Sequence, residues 1–429
     1  MNRIAFLAVV AALSGFLFGY DTAVINGGEQ QIQTLWNLSP FVHGCLMSAA
    51  LWGTVAGALL GGRICDRIGR KRSLVGVGIG FLVGALWSAL ARSPAEMSIA
   101  RLVGGFAVGV SSIAAPIYIA EISPAERRGR LGGMFQFNIV LGMVVSQFVN
   151  WWIGSPGAGF GDSAWRWMLG AMAIPALAFT IAAFFLEESP RYLEMLGYEV
   201  GAVSSSSRNG EKCHPPTPTP TPTQNSNSNS PCFFSRANLR PILLAFAVAA
   251  FNQLSGINAM MYFARRVFEM AGFSASVALG CAAAMSVVLG VGTFAGLFLI
   301  DRLGRRTLLI IGSIGCILAH FATSAAFAFN LGAVAAACIF PFIVFFAMGQ
   351  GVVIWVFISE IFPQRFRAQG QSLGSFTHWG FCAVLTFVFP VMAASWLPQW
   401  IFAFFGVCLV AHLLWAIFIC PETRGKELE

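Results

Sequence analysis

GGRICDRIGRKR at residues 61–72 returns as GLFLIDRLGRRT at residues 296–307, which sets Asp66 against Asp301 at an offset of 235 (301 − 66). The echo continues downstream. AEISPAERRGR, residues 120–130, is answered by SEIFPQRFRAQ, residues 359–369, so Glu121 matches Glu360 and Arg128 matches Arg367, each at an offset of 239. Both halves also close alike, with Glu188-Ser189-Pro190-Arg191 facing Glu422-Thr423-Arg424 at an offset of 234 (422 − 188). A motif series repeated in order within an apolar chain is the signature of a transporter made of two similar helical halves around a central site.

Composition supports that reading. Hydrophobic residues make up 57% of the 429 and charged residues only 10%, with a mean hydropathy of +0.74, far from the balance of soluble domains. Apolar runs of about 20 residues, the length that crosses a bilayer core, fall at 4–25, 41–62, 73–91, 94–119, 131–153, 166–186, 239–262, 275–300, 307–328, 333–358, 368–394 and 398–420. The expected fold is therefore an all-α membrane protein of twelve spans in two pseudo-symmetric halves. Residues 1–202 form the first half and 236–429 the second. Between them, 203–235 is a Ser/Thr/Pro/Asn-rich stretch whose composition cannot offset its ordering entropy. It reads as a disordered tether on the cytoplasmic side.

Charge gives the orientation. Of 26 Lys and Arg, only Arg92, Arg101, Arg166, Arg265 and Arg266 fall in spans or in the loops assigned outside, leaving 21 (26 − 5) on the other face. The positive-inside rule makes that face cytoplasmic, with both termini on it, in the plasma or inner membrane. The net charge of +8 is thus topological, and no nucleic-acid partner is expected. Arg3 ahead of an apolar stretch also has the form of a signal peptide. Its cleavage would leave eleven spans and invert the basic loops. The ten cysteines lack CxxC or metal-type spacing, and no metal or other cofactor is expected. Gly290-x-Gly292-x-x-Ala295 fits a dinucleotide fingerprint only on paper, since it lies inside a span with no strand before it. Gly53xxxGly57xxxGly61 and Gly292xxxGly296 instead allow close helix approach in lipid. The five histidines are dispersed and neither GxSxG nor HExxH occurs, which argues against an enzyme.

The repeated loops pair acids with cations at a membrane surface, where partial desolvation strengthens ion pairs. Asp66, Arg67, Arg70, Glu121, Arg128, Glu188, Asp301, Arg305, Glu360, Arg367 and Glu422 are read as a cytoplasmic gate that closes the halves inside while the outside is open. Within the spans, Gln136, Asn252, Gln253 and Asn258 are neutral amides at a depth where polar groups are costly unless useful. With Tyr262, Trp355, His378 and Trp379 they make up the candidate substrate-binding residues, offering hydrogen bonds and ring faces without a buried charge. Asp21 in span 1 and Arg101 in span 4 form a candidate proton-coupling pair, because an unpaired carboxylate at that depth must either take a proton or find a cation.

Through GFLFGYDTAVING (15–27), the two DRxGR loops, PIYIAEISPAERRGRL, ESPRYL, NQLSGIN, SEIFP and PETRGKELE, the chain resembles the sugar porter family of the major facilitator superfamily over nearly its whole length. The resemblance implies twelve helices, alternating access and a monosaccharide at the midplane, and it extends to bacterial-type proton-coupled members. It further implies proton symport, since coupled members carry aspartate where Asp21 stands and facilitators commonly asparagine. Four positions depart from the pattern. Asn252 stands where many members have glutamine, Met143 where some coupled members do, Leu289 where asparagine is frequent, and Val352 replaces a proline after Gly351. A sugar facilitator, a polyol (inositol-like) carrier and a transport-fold sensor are the alternatives. The working unit is expected to be one chain in lipid, with sugar and protons as its only other partners.

Overall fold

The computed structural model describes residues 3–123, 128–196, 233–363 and 366–424, with backbone only at 128–130, 132, 237 and 368. Among these residues, twelve helices are long and apolar enough to cross a membrane: Arg3–Leu35, Pro40–Ile68, Arg70–Leu90, Pro94–Ile122, Gly133–Ile153 and Gly161–Phe184, then Leu239–Tyr262, Ala275–Leu303, Arg305–Ala328, Gly332–Ile361, Gln369–Ser395 and Pro398–Phe418. They are spans 1 to 12 below. Ser-Pro pairs start two of them. Ser39 and Ser93 accept hydrogen bonds from the backbone N–H groups of Val42 and Glu96, at 3.4 and 3.2 Å. Pro40 and Pro94 then occupy the first turn, where no N–H is needed. Large side chains such as Ile174, Phe298 and Phe418 are more than 70% exposed, an apolar girdle suited to lipid.

The small-residue spacings do what close packing requires. A Cβ on Gly57 would sit 2.3 Å from the Phe106 carbonyl oxygen, so span 2 lies backbone to backbone on span 4. Gly292 and Gly296 seat span 8 on span 10 in the same manner. Between the halves, span 5 runs along span 8: Trp151 lies over Gly280, Val140 against Gly290 and Phe137 against Phe294. Span 2 meets span 11, where a Cβ on Gly44 would lie 2.1 Å from the Phe387 carbonyl oxygen.

Three spans differ from the sequence expectation. Span 1 does not end near residue 25 but runs to Leu35, because Gly27 and Gly28 are contact points for Asn150, Met168 and Trp165 rather than a stop. Span 7 is broken at Gly256, whose φ of +84° favours glycine, and resumes as Ile257–Tyr262. Gly256 stands 235 residues after Asp21 (256 − 21), the interval that relates Asp66 to Asp301. Span 10 takes a π-helical turn over Ala347–Gly351, directly before Val352, so the helix departs from α geometry there without a proline at that point. The predicted tether 203–235 lies outside the described residues except for its last three. There Phe233 stacks on Phe362, ring centroids 5.7 Å apart.

Candidate functional site

The break in span 7 draws three of the predicted amides into one cluster. Gln253 is fully buried and central to it. Its Nε2 donates to Asn252 Oδ1 at 3.0 Å and toward His378, 3.1 Å from each ring nitrogen, while its Oε1 accepts from Asn258 Nδ2. Asn252 also donates to the Gln350 carbonyl in the π turn, at 3.2 Å. His378 is flanked by Trp355 and Trp379, with ring centroids 5.0 and 4.9 Å away. Trp379 reaches across the halves to Phe18 at 5.6 Å. These groups combine acceptors, donors and indole faces on spans 7, 10 and 11 without burying a charge. Gln136 is not part of this cluster. It is exposed on span 5, and helical spacing puts it on one stripe with Val140, Met143 and Gln147, between the edges that touch span 1 and span 8.

Asp21 and Arg101 do meet. Arg101 Nη1 donates to Asp21 Oδ1 at 2.6 Å and Nη2 to the Asp21 carbonyl at 3.3 Å, both side chains being under 10% exposed. Tyr262, buried at the end of span 7, lies close to Asp21 and Arg101. The pair and the amide cluster therefore lie on adjoining segments.

At the arginine-rich end the two halves carry the same ion cluster twice. Arg70 pairs with Glu121 at 3.1 Å and with Asp66 at 3.2 Å, and Arg305 with Glu360 at 2.7 Å and with Asp301 at 3.2 Å. Glu188 accepts from the backbone N–H groups of Arg70 and Lys71, and Glu422 from those of Arg305 and Arg306. Each carboxylate thus sits at the positive start of a span. Ser189 and Thr423 in turn donate to Glu121 and Glu360. Burial raises the Glu422 carboxyl, but the N–H groups of Arg424, Arg305, Arg306 and Thr423 outweigh it and hold the group below the ordinary glutamate range. Its stabilisation is present at neutral pH and is lost only as pH falls through that lowered value. Among the described residues, the ion pairs here join residues of one half only. Tyr192 donates to the Arg67 carbonyl at 3.2 Å, Arg367 Nε is buried with no partner among the described residues, and the Arg128 side chain lies outside them.

Gly69 and Gly304 bend the chain into these clusters at φ of +94° and +90° with ψ near 162°, a region open essentially to glycine. A Cβ there would fall 2.3 Å from Glu188 Oε2 or 2.6 Å from Glu422 Oε2. Gly69→Ala or Gly304→Ala is therefore expected to cost on the order of 1–3 kcal/mol in backbone strain alone, with a displaced carboxylate besides. Thermal unfolding in detergent should show a lowered midpoint for both, and an unchanged midpoint would refute the argument.

The opposite end holds what sequence reasoning missed. Glu29, in the unforeseen extension of span 1, is fully buried. It accepts from Arg266 Nε and Nη2, each at 3.0 Å, and lies 2.8 Å from His43 Nε2 on span 2. Arg266 belongs to the helix Ala264–Met270 that follows span 7, so this ion pair joins the two halves. Arg265 adds its backbone N–H to Asn26 Oδ1 at 3.0 Å. An acidic residue four positions beyond a predicted span end was the available signal, and the Gly27-Gly28 pair hid it.

This arrangement of two six-helix halves, an intramembrane charge pair in one and an amide cluster in the other, can be set beside known proteins. Residues 7–429 match the sugar (and other) transporter family. The chain belongs to the sugar transporter family. It is 31% identical over 437 residues to the arabinose-proton symporter of Bacillus subtilis (strain 168), covering 100% of this chain and 94% of that protein. It is also 31% identical over 463 residues to the D-xylose-proton symporter of Escherichia coli (strain K12), covering 99% and 94%. Among solved structures, the crystal structure of a D-xylose-proton symporter superposes with a TM-score of 0.84 at 29% identity, with both chains covered in full. The inward open conformation of the xylose transporter XylE from E. coli gives 0.82 at 28% identity, covering 99% and 98%. As a member of the sugar transporter family the chain is a secondary transporter of the major facilitator type, not an enzyme, and a multi-pass protein of the plasma membrane.

Proposed function

We propose that this transporter is a proton–monosaccharide symporter for a hexose or pentose, working as a single chain by alternating access. The carrying observation is the buried Asp21–Arg101 pair at 2.6 Å, close to Tyr262 at the end of the span that carries the amide cluster. A carboxylate so placed stays charged while Arg101 is near and becomes neutral when a proton replaces that cation. Asp21 takes a proton from outside, releasing Arg101, and gives it up inside, which biases the conformations the halves can reach. The sugar binds Gln253, Asn252, Asn258 and His378 from the second half and Gln136 from the first, with Trp355 and Trp379 against its ring. The relatives described above, symporters of arabinose and xylose with protons, support this substrate class.

The arginine-rich end is taken as cytoplasmic by the positive-inside rule. On that orientation the cross-half pair Glu29–Arg266 lies outside and the half-confined ion clusters lie inside. This supports reading the present arrangement as closed outside and open inside, with the paired clusters acting as the inner gate in the opposite state.

Purified protein in liposomes tests the proposal. Labelled hexoses and pentoses should accumulate above equilibrium when an inward proton gradient is imposed. Equilibration indifferent to the gradient would make it a facilitator with a structural Asp21–Arg101 pair. Absence of flux for any sugar would overturn the substrate class and favour a sensor.

A further inference from the structure

We infer that His43, with Glu29 and Arg266, forms a second proton-responsive site that locks the outer side and is released by protonation of His43. The inference rests on the orientation and cycle proposed above, and concerns residues outside the Asp21 pair.

The geometry builds it step by step. Glu29 is fully enclosed, its two oxygens engaged by the Arg266 fork and by His43 Nε2. Arg266 also reaches Gln33 on span 1. Other charged groups nearby are Arg265, paired with Glu269 at 2.9 Å, and Arg166, which lies over Trp165, 4.2 Å from its ring centre. Span 5 presents the neutral amides Gln147 and Asn150, and Phe263 faces the His43 ring from span 7. Within this enclosure His43 Nδ1 is buried and has no hydrogen-bond partner among the described residues. With its proton on Nε2, neutral His43 donates to Glu29 and leaves only an unused lone pair. A second proton, on Nδ1, would add a buried donor with nothing to accept it, while Arg266 already balances the carboxylate.

Opening the outside carries Arg266 away with the second half. Glu29 then keeps one possible cation beside it, His43, and water entering the gap can solvate Nδ1. A proton taken from outside on Nδ1 therefore substitutes for the departing guanidinium and is favoured only when the lock is open. By linkage, lower external pH shifts the population toward the outward-open form. The same substitution prevents the opened state from stranding a buried carboxylate, a situation that is strongly destabilising.

The test places spin labels at Thr34 and Ala275, exposed positions beside the lock, in the full chain with its accessible cysteines replaced by serine and reconstituted in nanodiscs. Between about pH 8 and pH 5, the range in which histidine titrates, the longer inter-label distance should gain population about twofold or more. In His43→Gln that pH response should vanish, because Gln still donates to Glu29 but cannot charge. In Glu29→Gln the longer distance should dominate at every pH. An Asp21→Asn background should leave the response intact, separating this site from the coupling pair. A full response in His43→Gln, or an unchanged distance in Glu29→Gln, would overturn the inference. Neither readout needs sugar or flux, so the symport proposal stands or falls separately.

Discussion

Asp21→Asn is expected to abolish sugar accumulation while leaving exchange of sugar across the membrane in place. One proton moving down a gradient of one pH unit can support about tenfold accumulation, since 1.4 kcal/mol corresponds to a factor of ten. Asparagine retains the hydrogen-bonding oxygen for Arg101 Nη1 but cannot exchange a proton, so the ratio of internal to external sugar should fall to unity. Counterflow between labelled and unlabelled sugar does not require net proton movement and should persist. Because Arg101 is left as a buried cation without a counter-charge, some loss of thermal stability should accompany the change. Accumulation by the variant would show that Asp21 is not the coupling residue. Loss of exchange together with accumulation would point to a structural role for the pair.

Gln253→Ala should have the second largest effect, an increase in KM for sugar of about 10–100-fold. The side chain bonds Asn252 and Asn258 and contacts His378. Its removal strips one set of contacts from the sugar and frees three further groups from their orientation, each bond being worth about 0.5–1.5 kcal/mol net. Transport at saturating sugar should fall much less than the apparent affinity. The measurement is initial exchange rate against sugar concentration in liposomes, with a melting curve to confirm folding. An unchanged KM would remove Gln253 from the sugar site.

Much of this was legible in the sequence, for reasons that are local. Apolar length places twelve spans, and the repeated loops place Arg70 and Arg305 in equivalent settings. The pairing of Asp66 with Arg70 inside one DRxGR motif was not foreseen, although the two lie only four residues apart. Less legible was which distant acid each arginine would share. Glu121 lies 51 residues from Arg70, and only helix packing brings them together. The outer lock was illegible for the same reason on a larger scale, with Glu29 and Arg266 separated by 237 residues. Span 1 carried a local error as well, since the apolar run stops near residue 25 while the helix continues to Leu35. The gathering of Asn252, Gln253 and Asn258 could be expected from their closeness in sequence. Their contact with His378 on span 11 could not.

The break at Gly256 has a meaning that its location in the repeat makes plain. Where the first half places a carboxylate, Asp21, in an unbroken helix, the second places a glycine that interrupts one. Both are ways to bring polarity to the membrane centre, one through an ionisable side chain and the other through main chain released from its helical bonds. On the proposed cycle, duplication has been kept at the twin arginine clusters and has diverged at the centre, where the first half supplies the coupling pair and the second most of the contacts to the solute.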